Sequence, residues 1–166
     1  AATGMQPAVA EGPPGCAAVA GGGRETVLAA TAVLRAGGNA VDAALAGSLA
    51  ACVSEVIFTS LGGGGFLNVR HSDGSAEVLD FFVNTPGLGT PGKAGAPEFT
   101  PVTVRFTGTE QVFHVGPGSV AVPGVLAGLL EANRRFGRVP MATVVQPAIA
   151  LAEQGAQWHS LRGHDR

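Results

Sequence analysis

The spacing of apolar residues predicts two helices near the start of the chain. Residues 24–36 place apolar side chains at helical spacing, and Gly37 with the glycine after it ends the helix, because glycine readily adopts the left-handed conformation found at helix C-termini. Asn39 then caps a second helix over residues 39–53, where Asp42 is placed to satisfy first-turn amides. This helix consists almost entirely of small and apolar residues, so we expect it to be buried on more than one side.

Strand-like segments occupy the middle of the chain. Residues 66–70 and 76–82 flank the turn signal Asp73-Gly74, which predicts an antiparallel hairpin. Residues 102–106 and 111–115 predict a second and weaker hairpin of the same kind. The two hairpins indicate antiparallel rather than parallel strand pairing.

The remaining elements are a short strand, a long connection and two more helices. We predict a buried strand at 16–20 and an irregular connection, rich in proline and glycine, at 83–101. Residues 123–136 and 143–154 predict helices. Pro147 is compatible with the second of these only in its first turn, because proline lacks an amide hydrogen and clashes with the preceding turn.

The chain carries few charges for its length. Charged residues make up 13 % and hydrophobic residues 46 % of its 166 residues, whereas roughly 25 % of the residues in soluble domains are charged. One domain with so little charge either covers part of its surface with a partner or belongs to a larger folded unit, and we favour the second interpretation. The net charge of −2, without a basic block, gives no electrostatic footprint for nucleic acid or an anionic membrane, and we expect neither as a partner.

Targeting and metal-binding signals are absent from the sequence. No cationic start precedes an apolar run, and no stretch is long and apolar enough for a membrane span, which favours a cytoplasmic location. The two cysteines and four histidines lack the spacing of metal ligands, so neither a metal nor another cofactor is predicted. These residues are Cys16, Cys52, His71, His114, His159 and His164.

A run of four glycines, residues 62–65, stands before the first hairpin. A phosphate-binding loop needs a Lys-Ser/Thr pair after its glycines, and a dinucleotide fingerprint needs a different glycine spacing, so nucleotide binding is not favoured. The run instead predicts close approach of backbone to backbone, with lining of a site as the alternative.

Three blocks of the sequence together resemble the γ-glutamyltransferase family, a branch of the N-terminal-nucleophile hydrolases. The blocks are residues 34–44, residues 61–66, and residues 122–128 together with 144–148. The resemblance implies an α/β (α+β) fold, an incomplete αββα sandwich with antiparallel strands and covering helices. It extends over roughly residues 15–156, so we expect a large-subunit fragment at 16–157 and a divergent tail at 158–166. Residues 1–15 contain three prolines and three glycines, and we expect them to form a disordered lead-in.

The same resemblance implies a reaction and a partner. Members of this family transfer or hydrolyse γ-glutamyl amides such as glutathione through a threonyl ester, and the threonine begins a small subunit released by self-cleavage. Neither the Thr-Thr-His start of that subunit nor the Ser-Pro-Gly-Gly stretch of the oxyanion hole occurs here. We therefore expect no catalytic residue in this chain and no activity from it alone, and we expect the partner to be the small subunit or the downstream segment that carries the nucleophile.

Phe82 departs from the family pattern. The family reads Asp-Phe-Arg-Glu after the first hairpin, and its arginine holds the α-carboxylate of the substrate, whereas this chain has Phe82 at that position. A phenyl ring cannot donate the paired hydrogen bonds that bind a carboxylate. The candidate substrate-binding residues are thus Phe82, with Gly63 and Gly64 as site-lining backbone. Two alternatives stay open, an acylase-like enzyme acting on a different amide and a non-catalytic scaffold.

Overall fold

The computed structural model describes residues 8–11, 17–87, 89 and 95–156, with backbone alone for 8–11. The predictions that concern Cys16, His159, His164 and the tail at 158–166 lie outside the described residues. The domain boundaries drawn from the sequence stay predictions.

The described residues form four α-helices, six strands and one 3₁₀ turn at Pro117–Ser119. The helices are α1 (Arg24–Arg35), α2 (Ala40–Ser54), α3 (Val125–Phe136) and α4 (Met141–Gln154). The strands are β1 (Ala8–Glu11), β2 (Ala18–Gly21), β3 (Phe66–Arg70), β4 (Ala76–Asp80), β5 (Thr100–Phe106) and β6 (Thr109–Val115). The mixture of helices and antiparallel strands confirms the predicted fold class.

The junction between α1 and α2 forms as the sequence predicts. Gly37 adopts a φ of 94°, and the amide of Gly38 donates to the carbonyl of Val33 at 3.0 Å, which satisfies a carbonyl at the end of α1. Asn39 and Asp42 then exchange side-chain and backbone hydrogen bonds in a capping box. The chain therefore turns from one helix into the next within a few residues.

Helix α2 is the centre of the helical layer and contacts the other three helices. Leu45, Ala46 and Ala50 are fully buried, and small residues let neighbouring backbones come close. A Cβ atom on Gly47 would lie 3.3 Å from the carbonyl oxygen of Thr26 on α1. The prediction that this helix is buried on more than one side is confirmed.

Asp42 joins α2 to the connection between α3 and α4. Its Oδ2 accepts the amides of Asn39 at 2.9 Å, Arg138 at 2.9 Å and Val139 at 3.3 Å. Its Oδ1 accepts a hydrogen bond from Asn133 Nδ2 at 3.1 Å. A fully buried carboxylate is retained here because donors from three segments surround it.

The strands form three separate antiparallel pairs, β1–β2, β3–β4 and β5–β6. The first hairpin has the predicted turn, and Gly74 there has a φ of 88°. The second hairpin is longer than predicted, because Thr107 and Gly108 form a two-residue turn and pairing begins directly at Phe106 and Thr109. Strand β1 lies within the range 1–15, for which the sequence predicted no regular structure; pairing with β2 orders residues 8–11 despite their weak local signal.

Helix α4 corrects the prediction for Pro147. The carbonyl of Pro140 accepts the amides of Thr143 at 2.8 Å and Val144 at 3.3 Å, so α4 begins at Met141 and not at Thr143. Pro147 therefore lies in the helix interior, beyond the first turn. The buried side chains of Val144 and Ala148 flank it in sequence, and their packing against the helical core offsets the missing hydrogen bond.

Candidate functional site

A cleft of about 700 Å³ lies between the end of β4 and the start of α3. Its walls come from the first hairpin, from the segment that follows it and from the N-terminal half of α3. The lining residues are Phe66, residues 79–84, residues 122–124, Ala127, Gly128 and Glu131. The candidate residue Phe82 is among them.

The segment after β4, residues 81–84, is held from two sides. Phe81 continues the hairpin pairing by one residue, because its amide donates to the carbonyl of Gly65 at 3.1 Å. Asn84 pairs with Val122, with N–O distances of 3.2 Å and 2.7 Å. The segment thus bridges the glycine run and the approach to α3, and its backbone position is fixed at both ends.

Glycine is required where this segment touches its neighbours. A Cβ on Gly64 would lie 2.6 Å from the amide nitrogen of Val83, and one on Gly124 would lie 2.0 Å from the carbonyl oxygen of Phe81. A Cβ on Gly128 would lie 2.1 Å from the ring of Phe81. Separations this short exclude a side chain at all three positions. The predicted close approach of backbone to the glycine run is confirmed at Gly64.

Gly63 contacts the start of α3. Its carbonyl oxygen accepts the amides of Gly124 at 3.0 Å and Val125 at 3.1 Å, which are first-turn donors without a partner inside the helix. Gly63 and Gly64 therefore pack behind the wall of the cleft and are not among its lining residues. Their role in substrate binding stays a prediction.

Phe82 stacks on Phe66 at the edge of the cleft. The ring centroids are 5.6 Å apart and the ring planes differ by 10°. Phe82 remains 53 % exposed and Phe66 63 %, so the aromatic pair is partly open to solvent. The pair offers an apolar surface to whatever enters the cleft.

The charged residues among those lining the cleft are acidic. They are Asp80 and Glu131, and neither Lys nor Arg lines the described part of the cleft. A hydrogen bond from Arg134 holds the pKa of Glu131 below its ordinary value, so this carboxylate is ionised at neutral pH. Sequence reasoning missed both acidic residues, although the position of Asp80 two residues before Phe82 was a usable signal.

The histidines that the structure describes do not gather into a metal site. His71 Nε2 lies 2.9 Å from Glu77 Oε1, and the ring of His114 packs edge-on against Phe99. Within residues 8–156, as far as they are described, no group of three or more His, Cys, Asp and Glu side chains is placed to hold a metal ion. The described helices are too short or too polar to cross a membrane.

Comparisons with known proteins agree on one family. The family model described as Gamma-glutamyltranspeptidase matches residues 26–161. An acylase ACY 1 proenzyme of Pseudomonas sp. (strain SE83) is 42 % identical over 123 residues, which cover 74 % of this chain and 22 % of that protein. A glutathione hydrolase proenzyme of Pseudomonas aeruginosa is 34 % identical over 130 residues, which cover 76 % of this chain and 21 % of that protein. The chain thus spans about a fifth of the length of these curated relatives.

Solved structures give the same result. A γ-glutamyltranspeptidase from Pseudomonas nitroreducens, complexed with L-DON, has a TM-score of 0.65 at 31 % identity, and the match covers 83 % of this chain and 38 % of that one. The transpeptidase CapD of Bacillus anthracis has a TM-score of 0.61 at 28 % identity, with 82 % of this chain and 38 % of that chain covered. These neighbours support the fold that the sequence blocks imply.

Proposed function

Because the chain belongs to the γ-glutamyltranspeptidase family, we propose that it forms the acyl-binding wall of an enzyme that transfers or hydrolyses the acyl group of an amide. We propose that the transferred acyl group is uncharged and apolar and is not a γ-glutamyl group. Two kinds of support bear on the proposal: the composition of the cleft, and the 42 % identity to a relative named as an acylase.

The stack of Phe82 on Phe66 is the observation that carries the proposal. Phe82 stands where the family resemblance expects the arginine that holds a substrate carboxylate. An apolar ring offers no hydrogen bond to such a group, and a carboxylate brought against it loses hydration without gaining a partner. Among the residues that line the described part of the cleft there is no Lys or Arg to bind a substrate carboxylate in its place.

The proposed reaction needs a second segment. A threonine at the start of that segment would attack the amide carbonyl; the C–N bond would break, the amine would leave with a proton, and an ester to the threonine oxygen would form. Water or a second amine would then release the acyl group. The relatives named as proenzymes, of which this chain spans about a fifth, support a partner segment of this kind.

A γ-glutamyl donor is the second candidate. It is favoured by several relatives named as glutathione hydrolases, which are 32 % to 37 % identical to this chain. In that case a cation that does not line the described part of the cleft would have to bind the substrate carboxylate. The two candidates therefore differ in the effect of a cation introduced at Phe82.

The test is Phe82→Arg in the protein that unites this chain with the segment carrying the nucleophile. We expect the ratio of kcat/KM for a γ-glutamyl anilide to kcat/KM for a hexanoyl anilide to rise at least about tenfold, since a paired charge in a cleft contributes about 2 kcal/mol or more. Phe106→Arg is the matched control, because Phe106 has a similar exposure of 51 % and lies on the other hairpin.

Two results would contradict the proposal. One is a wild-type protein that prefers the γ-glutamyl anilide, which would favour the second candidate. The other is an unchanged ratio in Phe82→Arg, which would place Phe82 outside the acyl pocket. The 166-residue chain alone serves as the blank, and we expect it to turn over neither anilide, because neither the Thr-Thr-His motif of the nucleophile nor the Ser-Pro-Gly-Gly stretch of the oxyanion hole occurs in its sequence.

A further inference from the structure

We propose that Asp80 is a positioning residue, which holds Phe82 in its stack on Phe66 and thereby sets the acyl selectivity of the cleft. The identity of the acyl group rests on the function proposed above, whereas the positioning of Phe82 is a separate claim. Asp80 is the last residue of β4, and its carboxylate Oδ1 accepts the amide of Phe82 at 2.9 Å.

The hairpin register explains why this contact controls the aromatic pair. Asp80 is paired directly opposite Phe66 across β3 and β4. Phe82, two residues further along, is directed to the same side as Asp80 and so becomes the diagonal neighbour of Phe66, at a separation that aromatic rings can bridge. Asp80 therefore lies next to both rings of the stack.

The regular pairing ends just before Phe82. The amide of Phe81 still donates to the backbone of Gly65, and the amide of Asn84 donates to the backbone of Val122. The amide of Phe82 instead donates to the side chain of Asp80. An aspartate that binds the amide two residues later fixes the turn of the backbone between them.

Packing covers only part of Phe82. The ring is 53 % exposed, and its described aromatic contact is with Phe66, which is itself 63 % exposed. The backbone of Phe82 is confined on one side by Gly64, where a Cβ would lie 2.9 Å from the Phe82 Cα. The hydrogen bond from the Phe82 amide to Asp80 fixes the backbone between these two residues, and this directs the Phe82 ring toward Phe66.

Asp80 could instead act through its negative charge, which would repel carboxylate substrates without any effect on Phe82. The two roles are separable because Asp80→Asn keeps the accepting oxygen and removes the charge, whereas Asp80→Ala removes both. A positioning role predicts that Asn rescues the function and Ala does not. A role for the charge predicts that both variants behave alike.

The experiment uses the assembled protein and measures two quantities for each variant. The first is kcat and KM for the hexanoyl and γ-glutamyl anilides. For Asp80→Ala we expect an approximately fivefold loss of kcat/KM on the hexanoyl anilide, mainly as a higher KM, and for Asp80→Asn a value within about twofold of wild type. In a Phe82→Ala background, Asp80→Ala should have no further effect, because Asp80 acts through Phe82.

The second quantity is the hydrogen exchange of the Phe82 amide, resolved to single residues. We expect faster exchange at this amide in Asp80→Ala and wild-type protection in Asp80→Asn. Unchanged protection in Asp80→Ala, or equal losses of selectivity in the Ala and Asn variants, would overturn the positioning role. A preference of the wild-type protein for the γ-glutamyl anilide would contradict the proposed function. The exchange measurement would still decide whether Asp80 positions Phe82.

Discussion

The two long hairpins have the same architecture and opposite surroundings. Hairpin β3–β4 packs on the helices: Val69 is buried, and Leu67 and Leu79 pack against the helical core. In hairpin β5–β6 every residue of both strands is exposed except Val104, which is half-buried. Its exposed apolar side chains include Phe106 and, at 40 % exposure, Phe113.

The difference shows where the described chain completes its own core. Strand pairing alone does not bury apolar side chains, because each two-stranded sheet needs a second layer against its face. Helix α3 supplies that layer for β3–β4, and the described residues supply little of it for β5–β6. The low charge content of the chain agrees with a surface that another part of a larger protein covers.

The largest expected effect is on the docking of the first hairpin. Gly128→Ala would drive a methyl group into the ring of Phe81, where the ideal Cβ lies 2.1 Å from the nearest ring atom. We expect the free energy of unfolding, from urea titration followed by circular dichroism, to fall by about 3 kcal/mol. The control is Gly62→Ala, whose Cβ would meet only Ser60 at 3.6 Å. Equal effects of the two substitutions would show that the hairpin is not held through Phe81.

Substituting one valine in each hairpin tests how much burial in that hairpin contributes to stability. Val69 on β3 is 8 % exposed, and Val112 on β6 is 52 % exposed. We expect Val69→Thr to lower the free energy of unfolding by about 1–2 kcal/mol, because it places a hydroxyl in the core. Val112→Thr should change it by less than about 0.5 kcal/mol. A similar loss for both variants would mean that β5–β6 is covered in solution.

The smallest effect concerns Glu77 on β4, which pairs with Arg135 on α3 and with His71 in the turn region of its own hairpin. The hydrogen bond with His71 and the guanidinium of Arg135 hold the pKa of Glu77 below its ordinary value. A carboxylate with a lowered pKa contributes stability above its ordinary pKa and loses that contribution as the pH falls through the lowered value. As the pH falls below 4.5, we therefore expect the Glu77→Gln variant to lose less stability than the wild-type protein.

The measurement for this prediction is the unfolding midpoint in urea at a series of pH values. Ser72→Ala, an uncharged change in the same turn region, is the control and should keep the wild-type pH dependence. If the unfolding midpoint of Glu77→Gln falls as steeply with decreasing pH as that of the wild-type protein, the contact between β4 and α3 does not depend on this carboxylate.

Several elements are set by residues close together in the sequence, and these could be predicted. The end of α1 at Gly37, the capping box of Asn39 and Asp42, and the Asp73-Gly74 turn each depend on hydrogen bonds or φ values within about five residues. The comparison with the family's Asp-Phe-Arg-Glu pattern also identified Phe82 as a candidate site residue. The structure places it in the cleft, and its role in binding stays a prediction.

The sequence by itself thus determined the presence of the four α-helices, the Asp73-Gly74 turn and the family. Only the tertiary structure showed that Asp42, besides capping α2, joins it to the connection between α3 and α4. Its partners there, Asn133 and Arg138, lie 91 and 96 positions away in the sequence. The tertiary structure also decided that Pro147 lies inside α4 and that Phe81 lies against Gly124 and Gly128. The physical reason is that local hydrogen bonding and glycine conformation act within a few residues, whereas burial and close packing depend on which distant segments meet.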